Sequence, residues 1–304
     1  MKEPRLVSRP NSKAEEIFDQ RNINSNRQWL RENLQNITVV YVDLDNTLLG
    51  PGGSLFLSAD KKYTLEPAKA IIEAERQNLD VVITSGRSRR QLFGDARILG
   101  FKNYIAELGC QLVYDGGDDV RLNIGRFEVR EKTVYETITK SGAPELLFDN
   151  FKGRLEYHTP WSEGRECTHV LRGFIDLTEA NKILEKHGLG ELKVVDNGVI
   201  YNKGNLKDLE EIHAYHLLPR AADKASGVRK DKLLRKIRTE NAIALGDALS
   251  DLILAPEVKA MFVVRNGLQE DSKMTPAILN YQNVFITEGE MGLGFAEMIE
   301  LLKE

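Results

Sequence analysis

VVYVDLDNTLLGPGG, Val39 to Gly53, closes an apolar, β-branched run with two carboxylates placed two residues apart, Asp43 and Asp45. ITVVYV, starting at Ile37, reads as a short strand buried on both faces, as in a parallel sheet. Residues i and i+2 project to one side of a strand, and the ligand crevice of an open α/β sheet lies at the carboxyl ends of its strands. Adjacent carboxylates repel, so they need a shared proton or a cation. A hard divalent ion such as Mg²⁺, which prefers oxygen ligands, resolves the repulsion. The plainer account is one strand-end aspartate followed by a turn-forming Asp45-Asn46. Similarly, GPGG (Gly50–Gly53) is either a flap that closes a site or merely a turn.

Outward from this stretch, strand and helix alternate. LEPAKAIIEAERQNL (65–79) predicts a helix with Pro67 near its start and Ala70, Ile71, Ala74 and Leu79 at apolar positions. DVVITSGRS gives a second buried strand, RSRRQLFGDARILG a second helix and NYIAELGCQLVYD further strand. After the middle of the chain the rhythm returns: SGVRKDKLLRKI as helix, NAIALGD and AMFVVRN as strands. The expected core is therefore α/β with a parallel sheet and right-handed crossovers.

The middle, about 114–218, has a different pattern. RFEVR, RLEYHT and THVLRGFID predict separate strands, and DLTEANKILEKHG an amphipathic helix. LKVVDNGVIYNKG predicts a hairpin turning at Asp196-Asn197-Gly198. This mixture suggests a smaller α+β domain (114–218) inserted into a core formed by 37–113 and 219–304. Residues 1–36 read as a polar N-terminal extension, weakly helical at Ala14–Phe18 and Trp29–Leu34, packed on the outside of the fold.

The composition excludes several function classes. With 304 residues, 41% hydrophobic, 29% charged and a net charge of −4, the chain has no basic excess that would call for a nucleic acid or an anionic membrane. Cys110 and Cys167 lack metal-ligand spacing and read as reduced, buried thiols. MKEPRLVSRPNSKAEEIF has no apolar signal core, and no stretch reaches the roughly 18 apolar residues of a membrane span. A soluble, cytoplasmic protein is expected.

Three further positions belong with the aspartate pair. Ser85 ends a strand just before Gly86, where a hydroxyl and free backbone N–H groups suit a phosphate; a helix N-cap is the bland alternative. Asp247 and Asp251, four apart after the NAIALGD strand, face one site if a helical turn follows. Lys224 stands before a helical segment and offers a point charge to a phosphoryl group, although a lone lysine is usually solvated surface.

Taken together, the order DxDxT, SGR, Lys, GDxxxD resembles the four motifs of the haloacid dehalogenase-like phosphatase superfamily, over about residues 37–304. The first motif is highly specific, and the third is weak without the others. DKASGV and the insertion look like the family's Cof-like branch, which includes the sucrose-, trehalose- and mannosylglycerate-phosphate phosphatases. The resemblance implies a Rossmann-like core with a C2-type α/β cap. It also implies Mg²⁺ as cofactor and a small phosphorylated metabolite as partner: a sugar phosphate or glycosyl-3-phosphoglycerate. Residue by residue, Asp43 would be the nucleophile that forms an aspartyl-phosphate and Asp45 the general acid, then base. Thr47 would tie the loop together. Ser85, Gly86, Arg87 and Lys224 form the implied phosphoryl- and substrate-binding set, and Asp43, Asp45 (through its carbonyl), Asp247 and Asp251 the metal set.

There are departures from the pattern: Asn46 for the usual Gly, Ser250 for the Asn of GDxxND, and Leu108 in ELG where ENG is usual. None removes an essential carboxylate. Arg87, Arg89 and Arg90 read first as salt-bridged surface, and the basic run Arg229–Arg238 as a solvated helix face. His213-x-x-His216 reads as polar surface, and Arg165, Arg172 and Lys203 are candidates for reading a sugar or glycerate group. A phosphosugar mutase of the same fold and a regulatory protein that keeps the fold without turnover are the competing functions. A monomer or homodimer is expected.

Overall fold

The computed structural model describes residues 12–270 and 272–303; the first eleven positions of the N-terminal extension lie outside them. The strands, in chain order, are β1 (Val39–Val42), β2 (Asp80–Thr84), β3 (Tyr104–Ala106), β4 (Gln111–Tyr114), β5 (Asp119–Leu122), β6 (Leu155–Tyr157), β7 (His169–Gly173), β8 (Leu192–Ile200), β9 (Ile212–Pro219), β10 (Ala242–Gly246), β11 (Ala260–Val263) and β12 (Val284–Ile286). Chain contacts divide the protein into one unit of Met1–Leu79 with Glu240–Glu304 and another of Asp80–Thr239.

In the first unit β12, β11, β10 and β1 run parallel in that order. Every residue of β1 and β10 is buried, as a sheet covered on both faces requires. Helices Glu66–Arg76 and Gly292–Leu301 pack on each other, the first starting at Pro67 as its sequence predicts. The weak helical patterns of the extension are real helices, Ser12–Arg21 and Arg27–Asn33. GPGG forms a 3₁₀ turn at Pro51–Gly53, clasped by Gly50 N donating to Ser54 O at 2.9 Å.

In the second unit β2 pairs parallel with β3, and β3, β4 and β5 continue antiparallel. A separate antiparallel sheet has the order β6-β7-β9-β8. Its one face is apolar: Leu171, Val194, Tyr215 and Leu217 share a core with Ile138, Leu147 and Leu184 from the helices Val134–Lys140, Ala143–Asn150 and Leu177–Lys186. Cys110 and Cys167 are buried and free, as expected.

Four expectations are corrected. NYIAELGCQLVYD is not one strand: β3 and β4 are separated by a turn at Glu107–Gly109, where Glu107 and Leu108 take left-handed φ of 50° and 53°. RFEVR forms no strand. LKVVDNGVIYNKG is no hairpin; its first nine residues are the single strand β8, with a bulge between Asp196 and Val199 that sets one extra residue against β9. The same Asp-Asn-Gly chemistry serves both outcomes: Gly198, at φ 96°, donates its N–H to Asp196 Oδ1 at 2.8 Å. Finally, the basic helix, Lys224–Arg235, is not simply a solvated face. Lys232 is buried, and Arg235 pairs with Asp231 at 3.0 Å and also with Asp80.

Candidate active site

The first-unit site follows from two adjacent parallel strands. β1 and β10 pair with Val42 beside Leu245, and Asp43 N donates to Leu245 O at 2.9 Å, so both chains leave the sheet together. Asn46, at a left-handed φ of 57°, reverses the chain after β1, and Leu44 O accepts from Leu48 N and Leu49 N at 3.1 and 2.8 Å. Buried Leu44 and Leu48 anchor this loop. Buried Thr47 then donates its Oγ1–H to Asp247 Oδ1 at 2.9 Å.

On the β10 side, Gly246 is required by close approach: a Cβ there would lie 2.2 Å from Asp251 Cβ. Asp251 begins no long helix; it sits in the turn Leu249–Leu252 and accepts from Ala248 N at 3.1 Å. One carboxylate oxygen from each of Asp43, Asp247 and Asp251 lies within 4.8 Å of the others. Asp43 and Asp251 are buried. Three converging carboxylates repel one another, and an all-oxygen set of this kind could hold a hard cation such as Mg²⁺. Asp45 is exposed, and its side chain is outside this group. Ser250, the departure from the GDxxND pattern, has a buried hydroxyl oxygen with no partner among the described residues.

Asn266 was not singled out from the sequence. Its Nδ2 donates to Asn46 O at 3.0 Å while its Oδ1 accepts from Met291 N at 2.9 Å, so it fixes the loop after β1. It lies in the helix Arg265–Glu270, three residues beyond β11, whereas Asp43 and Asp247 directly follow their strands.

The second unit holds the other motif residues. Ser85 is buried after β2, donates its N–H to Ile105 O at 3.0 Å and accepts from Arg87 N at its Oγ at 3.2 Å. The Arg87 guanidinium pairs with Asp95 at 2.8 Å, and Arg89 holds Glu166 through two bonds of 2.9 and 2.6 Å. Lys224 is the first residue of its helix, which Asp223 caps by accepting from Ser226 N at 2.7 Å. It is buried, and an ammonium in the first turn works against the helix dipole, a placement that favours a nearby anion.

Glu107 is the larger omission. It is fully buried and accepts from Glu166 N, Cys167 N, Thr168 N and Thr168 Oγ1 at 3.0, 3.2, 2.6 and 2.8 Å. Buried Arg165 lies 3.8 Å from it and donates Nη1–H to Gly86 O at 3.0 Å. The ELG departure marked this turn, but through Leu108 rather than the glutamate that organises it.

The antiparallel sheet's second face carries buried polar groups among apolar ones. Val195, His216, Val170 and His158 form one row across β8, β9, β7 and the end of β6. His216 and His158 are 2% and 8% exposed, and the Nδ1 of each has no hydrogen-bond partner among the described residues. Burial, reinforced by Arg165, Lys224 and His158, holds His216 neutral far below its ordinary titration range; burial and the nearby Arg172 and Arg165 push His158 down to about 4. His213, three residues from His216 on an extended strand, lies on the opposite face with Asp196 and Glu211 at 2.8 and 3.0 Å, so the two share no metal. Arg172 is held by Glu156 at 2.7 Å, and Lys203 by Leu209 O and by Glu210 O at 3.1 Å.

Solved structures share the fold. A haloacid dehalogenase-like hydrolase from B. subtilis superposes with a TM-score of 0.54 at 17% identity, covering 88% of this chain and 100% of that one. This chain has the haloacid dehalogenase-like fold. Sucrose-phosphatase from Synechocystis, solved with sucrose and phosphate, shares that fold at a TM-score of 0.58 and 13% identity, over 88% of this chain and 98% of its own. In sequence, phosphoglycolate phosphatase of Metallosphaera sedula is 25% identical over 268 residues, 88% of this chain and 99% of that protein. No family model matches the chain. The α/β core and the additional antiparallel sheet expected for a haloacid dehalogenase-like protein are both present. Among the described residues, no helix is long and apolar enough to cross a membrane.

Proposed function

We propose that the protein is a Mg²⁺-dependent phosphomonoesterase acting on a small phosphorylated metabolite in the cytoplasm, as a monomer or homodimer. The observation that carries the reading is the convergence of Asp43, Asp247 and Asp251 at a strand end, with Thr47 bonded to Asp247. Relatives along most of the chain are named as phosphatases, which supports it. In this reading Asp43, Asp247 and Asp251, with the Asp45 carbonyl, would hold Mg²⁺, which when bound would offset the repulsion between Asp43 and a phosphate. Asp43 attacks phosphorus; the ester P–O bond breaks as Asp45 gives its proton to the leaving oxygen. Asp45 then takes a proton from water, the water oxygen attacks the aspartyl-phosphate, and phosphate leaves with Asp43 restored. Ser85, the Gly86 backbone, Arg87 and Lys224 hold the phosphoryl oxygens, and residues 114–218 act as the cap that reads the organic part.

Phosphate release is the test, over phosphoglycolate, sugar phosphates and glycosyl-phosphoglycerates, with Mg²⁺ or with EDTA. Release by wild type that vanishes in EDTA and in Asp43→Asn is expected. Equal background rates in wild type and Asp43→Asn across the panel would overturn the reading. Isomer formation without release would mark a mutase.

A further inference from the structure

The carbonyls of Ser85, Gly86 and Arg87 are each held by a donor from outside their own loop. Ser85 O accepts from Leu108 N at 3.1 Å, and Arg87 O from Glu107 N at 3.0 Å. Gly86 O accepts from Arg165 Nη1 at 3.0 Å. In a trans peptide the N–H points opposite to the C=O of the same plane. The bond at Ser85 O therefore turns the Gly86 N–H away from the Glu107–Gly109 turn, while the Arg87 N–H reaches Ser85 Oγ at 3.2 Å. The side chains behind these bonds are themselves joined. Arg165 Nη1 also donates to Thr168 Oγ1 at 2.9 Å, and Thr168 Oγ1 donates to Glu107 Oε2 at 2.8 Å. Arg165 Nε is tied to Trp161 O at 2.8 Å. All three residues are buried, Glu107 and Thr168 completely. The turn that carries Glu107 takes left-handed φ at Glu107, Leu108 and Gly109, of 50°, 53° and 90°. Two non-glycine residues in that region are a strain that only a surrounding network sustains, and such strain gathers at functional sites. An uncharged side chain would fill the interior without the cost of a buried carboxylate.

We propose that Glu107 and Arg165, joined through Thr168, are positioning residues: they shape the Ser85–Arg87 loop so that the Ser85 hydroxyl and the Gly86 N–H meet the phosphoryl oxygens. Neither side chain touches the substrate in this assignment. The inference rests on the phosphatase reading and on Ser85 as a phosphoryl ligand. Donors stabilise a phosphoryl group best when their direction is fixed beforehand. A loop carbonyl released from its donor lets its peptide plane rotate, and the N–H of that plane turns with it. A role through charge alone gives the opposite sign for one change. Glu107 is an anion, so neutralising it would strengthen phosphate binding if only charge mattered. Positioning makes the same change weaken binding.

Calorimetry with inorganic phosphate on the full chain in Mg²⁺ tests this, with urea unfolding to confirm that each variant is folded. Arg165→Lys keeps the charge but presents one nitrogen where the guanidinium uses two. Its Kd for phosphate should rise roughly tenfold, the size of a hydrogen bond to a charged group. Thr168→Val, close in shape, unlinks the pair and should raise Kd roughly 2- to 10-fold. Glu107→Gln should raise it as well. Thr168→Val covers the case in which a Glu107 or Arg165 variant fails to fold. Phosphate affinity equal to wild type in folded Arg165→Lys or Thr168→Val, or tighter in Glu107→Gln, overturns the assignment. Unchanged affinity in Ser85→Ala overturns it too. If esters are still hydrolysed in either event, the phosphatase reading stands. A wild type that neither binds phosphate nor releases it from any ester sinks the phosphatase reading, and this inference with it.

Discussion

Thr47 Oγ1 donates to Asp247 Oδ1 at 2.9 Å, joining the loop after β1 to the end of β10 across two hundred residues of sequence. The bond leaves the remaining lone pairs of Asp247 to face Asp43 and Asp251. Thr47→Val keeps the shape but removes the donor. The expected loss is about 1–3 kcal/mol, because a half-buried carboxylate loses one hydrogen bond. Apparent Mg²⁺ affinity, read from activity against Mg²⁺ concentration, should fall roughly tenfold or more, and unchanged Mg²⁺ dependence would show that the bond is not needed to position Asp247.

The three carboxylates repel in the metal-free protein, so metal and stability are linked. Millimolar Mg²⁺ should raise Tm in wild type, and EDTA should reverse the gain. Asp247→Asn or Asp251→Asn removes one of the repelling charges. Each should raise the metal-free Tm slightly while abolishing the response to Mg²⁺. Thermal scans of both proteins with Mg²⁺, EDTA and NaCl at matched ionic strength separate this from general screening. An undiminished Mg²⁺ shift in Asp247→Asn would place the ion elsewhere.

The parts of the site legible in the sequence are those whose chemistry is local. VVYVDLDNT carries its strand, its carboxylate and its left-handed Asn46 within nine residues, and NAIALGD repeats the strand-then-aspartate arrangement. What was illegible depended on partners far along the chain. Asp196-Asn197-Gly198 has the residues of a turn, and only the unbroken pairing of β8 with β9 makes it a bulge. Glu107 looked like one position in a strand, because the N–H groups that it satisfies lie about sixty residues away in 166–168. Lys232 and Arg235 looked solvated for the same reason: Asp80, which pairs with Arg235, belongs to β2.

Glu107 therefore carries a stability prediction that the sequence alone would not have produced. Glu107→Ala leaves three backbone N–H groups, the Thr168 hydroxyl and the Arg165 guanidinium without their buried acceptor. Removing one side of a buried charged network costs about 3–5 kcal/mol. Glu107→Gln keeps one acceptor oxygen and should cost less. Urea unfolding should show both changes as a lower midpoint, with Ala the more severe. A midpoint for Glu107→Ala within experimental error of wild type would mean that water replaces the carboxylate at no cost.

Alongside His216, two further buried histidines weaken the fold in acid. Burial, with Arg172 and Arg165 nearby, holds His158 down to about 4; burial, opposed by the bond to Tyr135 O, holds His169 down to about 4. In the unfolded chain a histidine titrates near 6.5. Between those values the unfolded state binds protons that the folded state does not, so stability falls as pH falls. The loss from these residues begins below about pH 6.5 and is complete near pH 4; above 6.5 they contribute no slope. Each contributes on the order of 3 kcal/mol at the full shift. His158→Gln and His169→Gln should each flatten the decline in urea midpoint between pH 6.5 and 4, even where they lower stability at pH 7.5. If wild type and the His158 and His169 variants lose stability in parallel over this range, the buried imidazoles are not what limits the fold in acid.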